Sequence, residues 1–340
     1  MKNLKKAVLY ENLKDDKVKC NLCAHRCIIA PSRRGIFAVR ENVEGELYSL
    51  VYGKTTALNV DPIEKKPLYH FYPGSKALSL ATIGCNFKCS FCQNHDISQA
   101  SKKDWDGKDE KENLPSQIVA LAKKYECRSI SYTYTEPTIY FEYAYDIAQL
   151  ACREGLKNNF VTNGFMTEEA LNTISPYLHA ANVDLKCFKE KTYKNVMGGR
   201  LQPVLDTLRL MKKLNIWVEV TTLIIPAFND SDDELNEIAE FIAGLGKETP
   251  WHVSRFHPDY NLTNILPTPV ETLKKAREIG KKAGLRYVYT GNILWDDGEA
   301  TYCYKCGEVL IARTGFSIDK NFINKSCCPS CKAVVDGVGM

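Results

Sequence analysis

Three thiols on one short segment constrain this chain more than any other feature. The segment is Cys85-Asn86-Phe87-Lys88-Cys89-Ser90-Phe91-Cys92, spaced Cys-x3-Cys-x2-Cys. An apolar run over 77–83 precedes it and reads as a buried parallel strand, and Gly84 turns the chain before the first thiol. Thiolates are the usual ligands of iron–sulfur clusters, so three on one loop can hold three corners of a four-iron cluster. The missing fourth thiolate leaves one iron open to a small molecule. A zinc loop and coincidentally buried thiols are the alternatives. The loop also lies at the C-terminal end of a strand, where α/β barrels place their chemistry.

The rest of the composition narrows the setting. A chain of 340 residues, 44% hydrophobic and 25% charged, has room for one large domain and a small one or two. A net charge of +4 does not call for nucleic acid or a membrane as partner. Residues 1–13 are charged and lack the apolar centre of a secretory signal. No apolar run reaches the roughly 18 residues of a membrane span. The 14 cysteines fall mostly into three clusters. Without a secretion signal, clustered thiols read as metal or redox ligands in a reducing, cytoplasmic setting.

Three regions are expected: an extension over 1–76, a body over 77–297 and a tail over 298–340. The extension carries Cys20-x2-Cys23-x3-Cys27, with His25 inside it. Cys20 and Cys23 have zinc-knuckle spacing, and Cys27 or His25 supplies a third ligand. No fourth Cys follows nearby, so either a distant residue completes a metal site or these thiols are only packed. In the tail, Cys303-x2-Cys306 and Cys328-x2-Cys331 read as a zinc ribbon, with Cys327 as a spare thiol or exchange ligand. Cys127 and Cys152 read as small core residues.

The body alternates apolar strands with amphipathic helices, the pattern of βα units on a parallel sheet. Strands are expected at 77–83, 129–134, 159–162, 180–185, 216–225 and 251–256, with a short one at 286–289. Helices are expected at 115–125, 138–154, 167–174, 202–214, 231–245 and 269–283. The lysine-rich stretch 101–113 reads as a solvated loop. Six βα units are too few for a full eight-fold barrel. No Gly-x-Gly-x-x-Gly follows the first strand, which argues against a doubly wound dinucleotide fold. The expected fold is therefore α/β: a partial, laterally open (β/α)6 TIM-like barrel.

The Cys-x3-Cys-x2-Cys loop, with Phe91 before its last thiol, resembles the signature of the radical SAM superfamily. The likeness continues at the strand ends. Thr135-Glu136-Pro137 resembles the end of that family's Gly-Gly-Glu-Pro motif, with Thr133-Tyr134 replacing the glycines. Thr162-Asn163-Gly164, Asp184-Leu185-Lys186 and Phe256-His257 resemble elements of the pyruvate formate-lyase activating enzymes. With its extension and ribbon, the whole chain is most similar to the AmmeMemoRadiSam system radical SAM enzymes.

The resemblance implies a [4Fe-4S] cluster on Cys85, Cys89 and Cys92, and S-adenosylmethionine on the open iron. Glu136 and Thr135 would then meet the methionine ammonium, and Phe91 the adenine. Thr162, Asn163, Asp184, Lys186 and His257 are the remaining cofactor contacts that it implies. It further implies an electron donor such as flavodoxin or ferredoxin, and a protein or small-molecule substrate. The competing expectation is a zinc-organised module binding nucleic acid or protein. The sequence lacks the dense basic stripe with interleaved aromatics that tracks phosphates.

Overall fold

The computed structural model describes residues 4–100, 111–293 and 297–340. Its centre is an eight-stranded sheet. The strands are β1 (Ala57–Pro62), β2 (Lys76–Ala81), β3 (Ser129–Tyr132), β4 (Lys157–Thr162), β5 (Ala180–Asp184), β6 (Trp217–Ile224), β7 (Trp251–Arg255) and β8 (Val288–Gly291). Each strand neighbours the next in sequence. β2 to β8 run parallel, whereas β1 pairs antiparallel with β2. Winding that never reverses builds a barrel wall; a doubly wound sheet changes direction part-way. The wall is open between β1 and β8, which leaves both as edges.

Six helices cover the sheet: α1 (Pro115–Lys124), α2 (Phe141–Arg153), α3 (Glu168–Ile174), α4 (Leu201–Lys213), α5 (Asp232–Leu245) and α6 (Val270–Lys282). Their starts follow from local chemistry. Pro115 has no N–H to satisfy at the first turn of α1. Thr167 and Ser231 accept N–H bonds from Ala170 and Glu234 and so cap α3 and α5. The apolar faces of these helices and both faces of the strands form one core that also takes in Val18, Ile29 and Leu47 of the extension. None of the described helices is long and apolar enough to cross a membrane.

The short seventh strand expected at 286–289 forms as the four-residue parallel strand β8, shifted by two residues, whereas β1 was not expected. The burial of β1 does not alternate and the strand ends in Pro62, which suits an edge but hides a period-2 signal. The helix expected from 138 opens as a 3-10 turn, Pro137–Tyr140, before α2. Of the expected loop 101–113, residues 101–110 lie outside the described residues. Lys111–Glu112 pairs antiparallel with Lys54–Thr55.

The tail forms a hairpin, β9 (Val309–Thr314) and β10 (Ser317–Asn321), around its own small core. Arg313 pins it to the body. The guanidinium is buried and donates to the carbonyl of Tyr69 at 3.0 Å and to the hydroxyl of Thr301 at 2.7 Å.

Candidate functional site

The three-thiol loop leaves the end of β2 through Gly84, whose φ of +96° lies where side chains are strained. A π-helical turn, Tyr193–Met197, supports the loop from the far side of β5. The Lys88 N–H donates to the Met197 carbonyl at 2.9 Å. Gly199 lies so close that a Cβ there would stand 2.3 Å from the Phe87 ring. Cys89 is buried, Cys85 and Cys92 are partly exposed, and none of the three is in a disulfide. Cys85 Sγ receives the Phe87 N–H at 3.4 Å, and Cys92 Sγ lies 3.2 Å from the Ser98 hydroxyl. Burial pushes the Cys85 thiol well up and the Cys89 thiol to about 11. A metal bound here therefore displaces protons.

The ends of β3 and β4 meet beside Cys85. Glu136 is buried, and its Oε1 accepts from the Thr138 N–H at 3.0 Å, the Thr138 hydroxyl at 2.5 Å and the Thr162 hydroxyl at 2.7 Å. Oε2 accepts the Asn163 N–H at 2.8 Å and keeps a further lone pair. Burial raises the pKa of this carboxyl against the pull of those donors. The Asn163 side chain lies 3.8 Å from Cys85 Sγ and donates to Asn86 Oδ1 at 2.6 Å. Thr135 turns its hydroxyl to the Thr82 carbonyl at 2.9 Å. Tyr134 has a φ of +63°, and its carbonyl receives the Asn94 side chain at 2.8 Å.

Sequence reasoning missed Asn86, although it sits inside the three-thiol loop. Its Oδ1 is taken by Asn163, but its Nδ2 is buried with no partner. A buried donor left without a protein partner near Cys85 can serve an acceptor on a bound group. Three unbridged thiols with that donor fit an iron–sulfur cluster and a polar ligand. Asn94, Ser98 and the Gly198-Gly199 pair were missed too. The first two lie just past Cys92 without any periodic signal, and the glycine pair marked a turn but not what it packs on.

Phe91, Asp184 and Lys186 form a second group on the loop's other side. Lys186 Nζ bonds Asp184 at 2.8 Å and stands 6.0 Å from the Phe91 ring centre. Burial opposes the charge of Lys186, but Asp184 and Cys89 outweigh it and hold its pKa above the usual lysine range. His257 is exposed. It lines a cavity of about 860 Å³ together with Gln93, Thr221 and Asn292, and Arg313 of the tail reaches the same cavity.

Among the described residues, Cys303, Cys306, Cys328 and Cys331 are the one group whose ligand atoms all lie within 4.8 Å of one another. The Cys303–Cys331 and Cys306–Cys328 sulfurs are 3.5 and 3.7 Å apart. Four thiols so placed suit one tetrahedral ion, since ligands at about 2.3 Å from a centre stand about 3.8 Å apart. Cys327 is outside the group.

A parallel partial barrel with free thiols after its first parallel strand is the frame of a cofactor-dependent enzyme. Residues 80–242 match the family model described as the Radical SAM superfamily. An uncharacterized protein of Methanocaldococcus jannaschii is 48% identical over 315 residues, covering 92% of this chain and 93% of that protein. The pyruvate formate-lyase 1-activating enzyme of Escherichia coli K12 is 21% identical, covering 61% of this chain and 89% of that enzyme. A radical SAM methyltransferase from Sphaerobacter thermophilus shares the fold, with a TM-score of 0.52 and 16% identity over 70% of this chain and 71% of that one. The chain belongs to the radical SAM superfamily. It is an enzyme related to the activating enzymes of glycyl-radical systems.

Proposed function

We propose that the enzyme holds a [4Fe-4S] cluster on Cys85, Cys89 and Cys92, binds S-adenosylmethionine beside it, and abstracts hydrogen from a protein or small-molecule substrate. The cluster and S-adenosylmethionine, when bound, supply a 5′-deoxyadenosyl radical as the abstracting species. The observation that carries this reading is the unpartnered Asn86 Nδ2 next to Cys85. It is a buried donor waiting for an acceptor.

The chain's own residues bind, orient and exclude water. The remaining lone pair on Glu136 Oε2 accepts from the methionine ammonium, while Thr162 and Asn163 hold the carboxylate still. Thr135 fixes the neighbouring backbone through Thr82. Phe91 offers a face to the adenine, and the Asp184–Lys186 pair offers polar groups to the ribose and carboxylate. His257 lies at the rim of the large cavity, where it meets the cofactor's outer end or the substrate.

An electron donor such as flavodoxin or ferredoxin completes the scheme. The four tail thiols hold zinc. A cytoplasmic location suits this oxygen-sensitive chemistry. The kinship with an enzyme named for activating pyruvate formate-lyase supports a protein substrate. The Cys-bearing extension and tail support the likeness to AmmeMemoRadiSam system enzymes. Anaerobic loading with iron and sulfide, then dithionite and S-adenosylmethionine, should release 5′-deoxyadenosine and methionine. A fully loaded protein that releases neither overturns the reading.

A further inference from the structure

The extension meets the three-thiol loop through the residues between its own thiols. Cys20, Cys23 and Cys27 line a small apolar hollow with Ile36 and Phe37, and they do not come together as the tail thiols do. His25, by contrast, stands with Nε2 3.0 Å from the Asn86 carbonyl. The Ala24 carbonyl receives Arg200 Nη2 at 2.6 Å, and Arg26 lies two residues further on.

Arg200 also borders the loop. It follows the Gly198-Gly199 turn, and a Cβ on Gly198 would stand 2.8 Å from Cε of Lys88. Lys88 precedes Cys89 in the loop, and both Lys88 and Arg200 are exposed. A hollow of about 470 Å³ continues this surface along α4, lined by Arg26, Arg200, Arg209 and Lys213 against Glu168 and Asp206. Arg209 pairs with Asp206 at 3.1 Å, and Arg26 with Glu169 at 2.9 Å. Among the described residues, Lys88, Arg200 and Lys213 have no carboxylate partner, and Glu168 is the one acid of the hollow without a cation. Positive charge is thus in excess on a face that starts one residue from a thiol ligand.

Resting on the cluster reading given above, we propose that this face docks the electron carrier, a small protein with acidic side chains around its redox centre. The carrier gives up one electron and the cluster takes it up, so the two have to approach closely. Lys88 and Arg200 mark an exposed approach to the loop. The carrier has to return at every turnover while S-adenosylmethionine and substrate stay seated, so it needs a face of its own. None of the residues lining this hollow lines the large cavity, and Glu136 and Asn163 are not among them either. The unpaired cations are solvated ends of long side chains. Such groups steer and orient a charged protein rather than enclose a small anion.

The test takes the full chain, loaded anaerobically with iron and sulfide, and a fluorescently labelled flavodoxin and ferredoxin, both acidic, as probes. Binding should weaken about tenfold between about 50 and about 300 mM salt. Arg200→Glu/Lys213→Glu should weaken it about tenfold or more at the lower salt. Lys274→Glu/Lys282→Glu makes the same change in net charge on α6 and should leave binding within about twofold. The rate at which the reduced carrier bleaches the cluster absorption should follow the same order. Dithionite needs no docking face, so 5′-deoxyadenosine formed with it should be equal in all three proteins.

If Arg200→Glu disturbs the fold and lowers the dithionite yield, Lys213→Glu alone should still weaken binding about threefold, and an unchanged affinity there overturns the proposal. Equal affinity of the native protein and the double variant, equal weakening by the α6 variant, or no binding of either carrier by the native protein does the same. So does tighter binding of a single-stranded RNA that the same replacements abolish, which assigns the face to nucleic acid. The expected binding pattern with no 5′-deoxyadenosine from dithionite sinks the radical reading and leaves the docking face standing.

Discussion

The Asn163 amide donates to the Glu136 carboxylate at 2.8 Å and so ties the end of β4 to the turn after β3. The bond joins the two motifs nearest the Cys85 thiol. Replacing Glu136 by Ala leaves the Asn163 and Thr138 N–H groups buried without an acceptor. The expected cost is about 3 kcal/mol, read from the urea midpoint. Glu136→Gln keeps one acceptor and should cost less than half of that. Equal stability for Glu136→Ala and the parent would show that the tie is unimportant.

Arg40 and Glu142 form a buried ion pair that fastens the extension to α2. Arg40→Ala strands a buried carboxylate and should destabilise the protein by about 3–5 kcal/mol. The double replacement Arg40→Leu/Glu142→Leu should recover most of the loss. A double-mutant cycle with no coupling energy contradicts this.

Gly199→Ala tests the support under the three-thiol loop. The added methyl overlaps the Phe87 ring, so the loop has to shift. We expect the variant to fold, with an unchanged circular dichroism spectrum, but to retain well under half the iron of the parent after gel filtration. Full iron retention would mean that the loop tolerates the shift.

His70 gives the fold an acid limit. Burial pushes its imidazole down to about 4, although Glu219 pulls the other way. In the unfolded chain its pKa is about 6.5. Between those values the unfolded state binds a proton that the native state does not, so stability falls as the pH drops. The contribution is complete above about pH 6.5, and about 3 kcal/mol of it is gone by pH 4. His70→Gln should flatten that part of the stability profile, as measured by urea melts at stepped pH.

In the tail, Cys328→Ser should abolish binding of one zinc per chain in a colorimetric release assay. Cys327→Ser should leave it intact, because that sulfur is outside the group of four. Loss of zinc in both variants would reassign the ligands.

Much of this was legible in the sequence because it is local. Strand periods, the three-thiol spacing and the paired knuckles each lie within a few residues. The motifs at Glu136, Thr162 and Asp184 were visible at strand ends. What was hidden depends on distance along the chain. Nothing in the sequence shows that Thr162 and Asn163 both point at Glu136, or that His25 reaches Asn86, 61 residues away. The edge strand Ala57–Pro62 was invisible because its pairing with Lys76–Ala81 creates it, and its own residues carry no alternation. His257, whose motif was also readable, lines the large cavity together with Gln93, the residue that follows Cys92.

The clasp between tail and body has a kinetic consequence. The His70 Nδ1–H donates to the Asp336 carbonyl at 2.6 Å, a contact that spans 266 residues, and Arg313 reaches Tyr69 across 244. Contacts of such long sequence separation form late, because the intervening chain has to be closed into a loop first. During synthesis the Tyr69 carbonyl and the His70 ring therefore lack their tail partners until residues 313 and 336 have emerged. Slow translation of residues 300–336 would lengthen that interval and with it the window for aggregation.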